Sequence, residues 1–271
     1  MLNALYIAAT GLQAEQHSVE AISNNLSNMD TPGYKTARVQ FSNLVDGTPA
    51  LVPAEASQTM SPGAAGAATQ GSSTAVGGLG VAVTGTRHVF DAGQYAQTGS
   101  QYDLAVRGDG FIEVVLPDGS SAYTRGGTLK VNADGMLATQ DGYPLKAGVA
   151  IPADAQLISV SSDGTVNVST ATDASLIEAG HIDVVRFSSE GDLSSLGGGL
   201  YQPNDASGDP LTQRAGENGA GLLAQGYLEQ SNVNMVSEMV NLMVAQRAYQ
   251  ANAKLVQAAD DMLSTVNGLR R

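Results

Sequence analysis

Cysteine and tryptophan are missing from this 271-residue chain, and basic residues are scarce. Without cysteine there can be no disulfide, no thiolate metal ligand and no thiol nucleophile, and the chain suits a reducing or an oxidising compartment equally. Thirteen Lys and Arg stand against 26 Asp and Glu, a formal net charge of −13. With that balance and no Lys/Arg cluster, the chain is a poor candidate for binding a nucleic-acid backbone or an anionic membrane. No apolar run reaches the roughly 18 residues needed to span a bilayer. No Lys or Arg precedes Lys35, and Glu15 and Glu20 interrupt the first apolar pattern. The start of the chain is therefore not expected to be a cleaved secretory signal, and any export would use a route that leaves it intact.

Catalytic patterns are equally sparse. His17, His88 and His181 lie far apart, and none has a second ligand three or four residues on, so they are expected at solvent-facing polar positions rather than around a metal. The chain has no G-x-S-x-G, no phosphate-binding G-x-x-x-x-G-K-[ST] and no G-x-G-x-x-G after a strand. Its Asp-Gly pairs lack the ligand spacing of a calcium loop. Arg107-Gly108-Asp109 matches a three-residue adhesion motif, but it falls where a turn is expected anyway. No nucleophile, base and orienter can be assembled, so the reading is of a protein that is not an enzyme and uses no cofactor, metal or small-molecule substrate.

Charged residues make up 14 % of the chain and aromatics 5 %, against 32 glycines. Such a chain has small cores and many turns. It is either a turn-rich β-protein or one whose surfaces are covered by neighbours, and composition does not separate the two.

Helical periodicity marks both ends. From Asn234 to about Asn267 there is neither proline nor glycine. Met235, Leu242, Tyr249, Val256 and Leu263 recur every seven residues; Ala245, Ala259 and Val266 follow three residues behind, with Asn252 between them and Glu238 as a polar break near the start. This is the a/d stripe of a coiled-coil helix, with Asn234 as N-cap and Gly268 as C-terminal stop. Such a helix would be about 50 Å long and needs a long partner. The N-terminal stretch offers one: Leu5, Leu12, Val19 and Leu26 repeat every seven residues, with Ala8, Ile22 and Met29 on a companion track and Glu15 as the polar interruption. That helix should stop at Thr31-Pro32-Gly33. The two stripes predict an antiparallel pair, with the rest of the chain inserted between them. Met239, Met243 and Met262 widen the C-terminal band beyond what one partner can cover, which favours bundling between molecules over a hairpin that merely closes a domain.

Between the helices the pattern changes twice. Residues 34–46 read as an extended connector, and from Gly47 to Gly80 an Ala/Gly/Ser/Thr-rich stretch with Pro49, Pro53 and Pro62 reads either as a flexible linker or as an extended arm. From Val81 to about Phe187 the apolar period is two, around Asp109-Gly110, Asp118-Gly119, Asp134-Gly135, Asp141-Gly142 and Asp163-Gly164. Asp-Gly between short apolar runs is hairpin chemistry, so an antiparallel sheet or small barrel is expected. Residues 188–221 read as loop before Leu222, Leu223 and Tyr227. The predicted fold is α+β: a discontinuous antiparallel coiled-coil domain (1–33 and 228–271), a connector and arm (34–80) and an inserted β-rich domain (81–227).

Several short runs carry a resemblance. Asn24-Asn25-Leu26-Ser27-Asn28 and Thr31-Pro32-Gly33-Tyr34-Lys35, with Ala9-Thr10-Gly11-Leu12 upstream, resemble the N-terminal signature of bacterial flagellar rod and hook proteins. Gly219 to Leu223, Gln225-Gly226, Glu229, Ser231-Asn232-Val233-Asn234 and Gln246-Arg247-Ala248-Tyr249 resemble its C-terminal signature. Val106 to Phe111, Tyr123-Thr124-Arg125 and Asn132-Ala133-Asp134-Gly135 resemble its β-domain. The resemblance implies a structural subunit of the basal-body rod, most like its distal part, with a proximal rod or hook-type axial subunit as the rival. It implies a helical homopolymer that transmits torque from motor to hook and serves as export channel, spanning periplasm to outer membrane. Its partners would be proximal rod proteins, the hook protein, surrounding ring proteins and the export apparatus. A secreted adhesin-like β-protein with a helical stalk is the alternative from another class, although such stalks usually occupy one chain end. The expected assembly interface comprises Leu5, Leu12, Val19, Ile22, Leu26, Met235, Met239, Leu242, Tyr249, Val256, Leu263 and Val266.

Overall fold

The computed structural model describes residues 2–45, 78–170 and 176–268. Among them are two long helices, many short antiparallel strands and a single 3-10 turn at Glu190–Asp192, an α+β fold. Helix α1 spans Leu2–Ser27. It is followed by β1 (Ala37–Val45) and β2 (Gly78–His88), which pair as a two-stranded ribbon. The predicted arm falls for the most part on residues 46–77, outside the described residues.

Fifteen more strands follow: β3 (Tyr95–Gln97), β4 (Asp103–Arg107), β5 (Ile112–Val115), β6 (Ser121–Thr124), β7 (Gly126–Val131), β8 (Leu137–Thr139), β9 (Ala155–Val160), β10 (Thr165–Thr170), β11 (Ile177–His181), β12 (Val184–Arg186), β13 (Ser194–Gly197), β14 (Leu200–Gln202), β15 (Leu211–Gln213), β16 (Leu222–Gln225) and β17 (Tyr227–Glu229). Helix α2 closes the series at Met235–Gly268.

Two compact units partition these elements. The first draws on residues 1–17, 40–84 and 245–271. Its buried apolar side chains are small: Ala8 and Ala14 from α1, Ala245 and Ala259 from α2. Gly11 sits so close to Asn252 that a Cβ there would come within 2.9 Å of its Nδ2. Asn252 of the second stripe thus lies opposite the one glycine of α1. Beside them, the Thr10 hydroxyl donates to the Ile7 carbonyl (2.9 Å) and accepts from the Val81 N–H (3.4 Å), which ties the start of β2 to α1.

The second unit, residues 18–39 and 85–244, holds most of the strands. They form small antiparallel sheets in the orders β13-β14-β6-β5, β16-β4-β7-β8 and β11-β10-β9, with the pairs β12-β15 and β17-β3. Three of the five Asp-Gly pairs turn paired neighbours: β5 into β6, β7 into β8, and β9 into β10. At Gly164 the backbone adopts φ +99°, and a Cβ would run into the Ile182 carbonyl oxygen, so glycine is required twice over. The other two pairs differ. Asp109-Gly110 joins β4 to β5, which lie in separate sheets, and Asp141-Gly142 closes a turn in which the Thr139 N–H donates to the Tyr143 carbonyl (2.8 Å). The stretch expected as loop, 188–221, contributes β13, β14 and β15.

Alternation places Leu104, Val106, Ile112, Val114, Ile158, Val166, Val168, Ile182, Val184 and Leu223 in one apolar core. A second cluster is aromatic. Phe111, Tyr123, Phe187 and Tyr201, with Phe90 against them, meet edge to face at centroid distances of 4.9 to 6.1 Å. Five of the chain's thirteen Phe and Tyr rings are gathered here.

Candidate assembly site

The end of α1 comes earlier than Thr31-Pro32-Gly33 suggests. The helix stops at Ser27, because Asn24 and Asn28 bond locally: the Asn28 amide donates to the Asn24 side-chain oxygen (2.8 Å) and carbonyl (3.0 Å). Met29 therefore lies in the turn beyond the helix rather than on its companion track. At α2 the predicted cap is present, with Asn234 Oδ1 accepting from the Ser237 N–H (3.1 Å).

In the second unit these two helix ends share a buried polar set. Asn25 donates from Nδ2 to the Ala37 carbonyl (2.9 Å) and to Glu238 Oε2 (3.3 Å); its Oδ1 accepts from the Ala37 N–H (2.8 Å) and the Tyr34 hydroxyl (3.0 Å). Glu238, which interrupts the apolar stripe in the sequence, is buried with Asn25 as its partner. Burial raises the Tyr34 hydroxyl above its ordinary value, and the Glu238 carboxylate adds to the effect.

Ten residues on, Lys35 enters a second buried cluster. Its Nζ donates to Glu229 Oε1 and to the Asp91 carbonyl, both at 2.8 Å, and Arg125 Nε donates to Glu229 Oε2 at 2.9 Å. The side chains of Lys35, Glu229 and Arg125 are 0, 2 and 2 % exposed. Glu229 Oε1 also accepts the Gly93 N–H (2.9 Å), and a Cβ on Gly93 would strike the Gln230 carbonyl oxygen. Burial alone would push the Glu229 carboxyl up, but Arg125, Lys35 and the Gly93 N–H outweigh it and hold it below the usual range. Burial and then the Arg125 charge bring Lys35 below the ordinary lysine value.

Neighbouring motif residues extend the cluster. The Gly33 N–H donates to the Glu229 carbonyl (2.7 Å). Thr36 donates to Asn232 Oδ1 from both its N–H (2.8 Å) and its hydroxyl (2.7 Å), and Asn232 Nδ2 donates to the Val89 carbonyl (2.8 Å). Gly226 turns with φ +77° and accepts the Thr98 N–H (2.8 Å), Ser231 Oγ accepts from the Val233 N–H (3.3 Å), and Thr31 donates to Asn28 Oδ1 (3.2 Å). Gln246, Arg247 and Tyr249 stand exposed on α2.

One expectation about a single residue is corrected. His88 is not solvent-facing: it is half-buried against Phe90 and Tyr201, its Nδ1 donates to the Lys35 carbonyl (3.3 Å), and burial lowers its pKa. Arg107 of the adhesion-like triplet is engaged, its guanidinium 5.6 and 5.7 Å from the ring centroids of Tyr95 and Tyr227.

Of the expected interface residues, Leu5, Leu12, Leu242, Val256 and Leu263 are half-buried, as are Val19, Ile22 and Leu26. Met235, Met239 and Tyr249 are exposed; Val266 lies in α2 with its side chain outside the described ones. Within the second unit, the first ten residues of α2 expose Met235, Val236, Met239, Val240, Met243 and Val244, with Val236 71 % and Val244 61 % open to solvent. At 3.6 residues per turn these six fall within about half of the helix circumference. The opposite half carries Glu238, Leu242 and Ala245, so the apolar band continues past the covered face. In the first unit Tyr6, Ile7, Leu255 and Met262 are likewise exposed.

Sequence reasoning missed Arg125 as a site residue. Its local signs are its place in the Tyr123-Thr124-Arg125 run and a charge directly after the buried strand β6.

Comparison with known proteins matches these parts one by one. Residues 5–35 match the family described as "Flagella basal body rod protein", residues 105–168 the "Flagellar hook protein FlgE/F/G D1 domain" and residues 224–269 the "Flagellar basal body rod FlgEFG protein C-terminal". The chain is similar to the flagellar basal-body rod protein FlgG of Borreliella burgdorferi, 37 % identical over 279 residues that cover 100 % of both chains. It is 38 % identical to FlgG of Caulobacter vibrioides over 269 residues, covering 99 % of this chain and 100 % of that one. With FlgG of Agrobacterium fabrum it shares 37 % identity over 268 residues, 98 % of each chain. The chain belongs to the flagellar basal-body rod protein family.

Proposed function

We propose that this chain is a structural subunit of the distal rod that polymerises into a helical tube through its terminal helices. One observation carries the reading: α2 has an apolar face that stands exposed among the described residues. A single copy leaves that area in water, where each buried Å² would contribute about 25 cal/mol, and a stack of copies does not. Head-to-tail contacts that do not close on themselves give an open filament.

In this reading residues 1–33 and 228–271 form an antiparallel coiled coil lining the tube, residues 34–80 a connector and arm that stiffens it, and residues 81–227 its outward face. The register of the coil is supported by its two polar marks. Gly11 and Asn25 are two heptads apart on α1, and so, in the reverse direction, are their partners Asn252 and Glu238 on α2. One polar pair in an apolar seam specifies alignment at some cost in stability. The subunit would sit between periplasm and outer membrane and contact proximal rod, hook and ring proteins. Its terminal helices would order fully only on docking at the growing end.

Electron microscopy of the purified chain is expected to show straight tubes, and a compact monomer at high concentration would refute the proposal. Leu26→Asp is expected to abolish tubes while the strands remain folded by circular dichroism.

A further inference from the structure

The two ends of the chain contribute unequally to the buried ion triad. Arg125 is held by the strands whatever the ends do, because its guanidinium also donates to the carbonyls of Gly108 (2.7 Å), Gly110 (3.4 Å) and Val106 (3.4 Å). Glu229 arrives with the C-terminal segment on β17, and Lys35 with the N-terminal segment. Take Lys35 away, and Glu229 with Arg125 still forms a closed pair whose other oxygen keeps the Gly93 N–H. Take Glu229 away, and Lys35 and Arg125 face each other as two cations in one buried space. Glu190 lies within Coulombic reach of both and Asp91 of Lys35, but among the described residues neither carboxylate forms an ion pair with them. An uncompensated buried charge is among the costliest defects a fold can carry.

The surrounding hydrogen bonds have the same asymmetry. Residues of the N-terminal segment lean on the C-terminal one: Gly33 on the Glu229 carbonyl and Thr36 on Asn232. Their further links are to the 88–91 stretch, where Val89 donates to the Thr36 carbonyl, His88 to that of Lys35, and Lys35 to that of Asp91. The C-terminal segment is anchored independently of these, by β17 paired with β3, the Gln230 N–H on the Gln94 carbonyl (2.7 Å) and Asn232 on the Val89 carbonyl.

We propose that the triad makes docking conditional and ordered: residues 33–37 lock onto the strands only once Glu229 is in place, whereas the C-terminal segment docks without Lys35. The fold thereby fixes which end of the subunit orders first. This order does not depend on the polymer reading, since it concerns docking within one copy.

Hydrogen exchange on the full-length chain tests it, with the amides of Gly33, Thr36 and Ala37 as one reporter, residues 227–230 as a second and β10 as a folding control. Glu229→Gln is expected to cut protection at Gly33, Thr36 and Ala37 by about a hundredfold, and Lys35→Met by less than about tenfold with residues 227–230 unchanged. The double variant, free of the second cation, is expected to recover most of what Glu229→Gln loses. Wild-type protection in Glu229→Gln, no recovery in the double variant, or release of residues 227–230 by Lys35→Met would overturn the proposal. Should Glu229→Gln also expose β10, refolding in the double variant supports the idea and failure to refold sinks it. In the wild type, residues 227–230 should be at least as protected as 33–37, and the opposite order counts against the mechanism.

Discussion

At the scale of single residues, the informative positions are polar groups placed where the pattern calls for apolar ones. Glu238 and Asn25 form a hydrogen-bonded pair at the base of the helices, and Asn25 fills its remaining capacity with both polar groups of the Ala37 backbone and the Tyr34 hydroxyl. Asn25→Ala would leave the Ala37 N–H, its carbonyl and Glu238 unsatisfied together. It should destabilise the strand-bearing unit by about 2–4 kcal/mol in urea unfolding. His88 supplies a pH dependence with a definite sign. Its folded pKa lies below the ordinary 6.5, so between the two values the unfolded chain binds more protons, and stability falls as the pH drops below about 6.5. Glu229, held low, adds a further loss only at more acidic pH, as it falls through the folded value. His88→Gln should flatten the stability profile between pH 7 and 5, measured by thermal unfolding, without changing the steeper acid limb.

At the scale of elements, Val236 and Val240 test what the helix surface is proposed to do. Both are exposed in the single chain, so Val236→Glu with Val240→Glu should shift monomer stability by less than about 1 kcal/mol. The same pair should prevent sedimentable polymer from forming. Gly164→Ala, in contrast, should cost about 1–3 kcal/mol, because φ +99° and the Ile182 carbonyl both oppose a side chain there. The helices were legible because a seven-residue apolar repeat and an Asn cap are local signals, and the hairpins at Asp118, Asp134 and Asp163 because Asp-Gly between alternating runs is local as well. The end of α1 was misplaced because Asn24 and Asn28 compete with the helix before the proline is reached. Strands β13 to β15 escaped notice since they are short and join distant partners such as β6 and β12. The ion triad was invisible for the same reason: Lys35, Arg125 and Glu229 are brought together only by the finished topology.

At the scale of the whole molecule, a low charge fraction, few aromatics and long half-covered helices describe one economy. The strands have a closed core of their own, whereas among the described residues the helices leave many apolar side chains exposed. In the proposed polymer, neighbouring copies would cover that excess. A chemical consequence follows from the row Met235, Met239 and Met243. Thioethers in contact with solvent are open to peroxide, and the resulting sulfoxides are polar and chiral, ill-suited to a dry interface. Brief peroxide treatment of soluble subunits should therefore mark these three sulfurs in mass spectrometry and leave chains that no longer join a growing tube. Tubes assembled beforehand should resist the same dose, and sulfoxide reductase should restore the treated subunits.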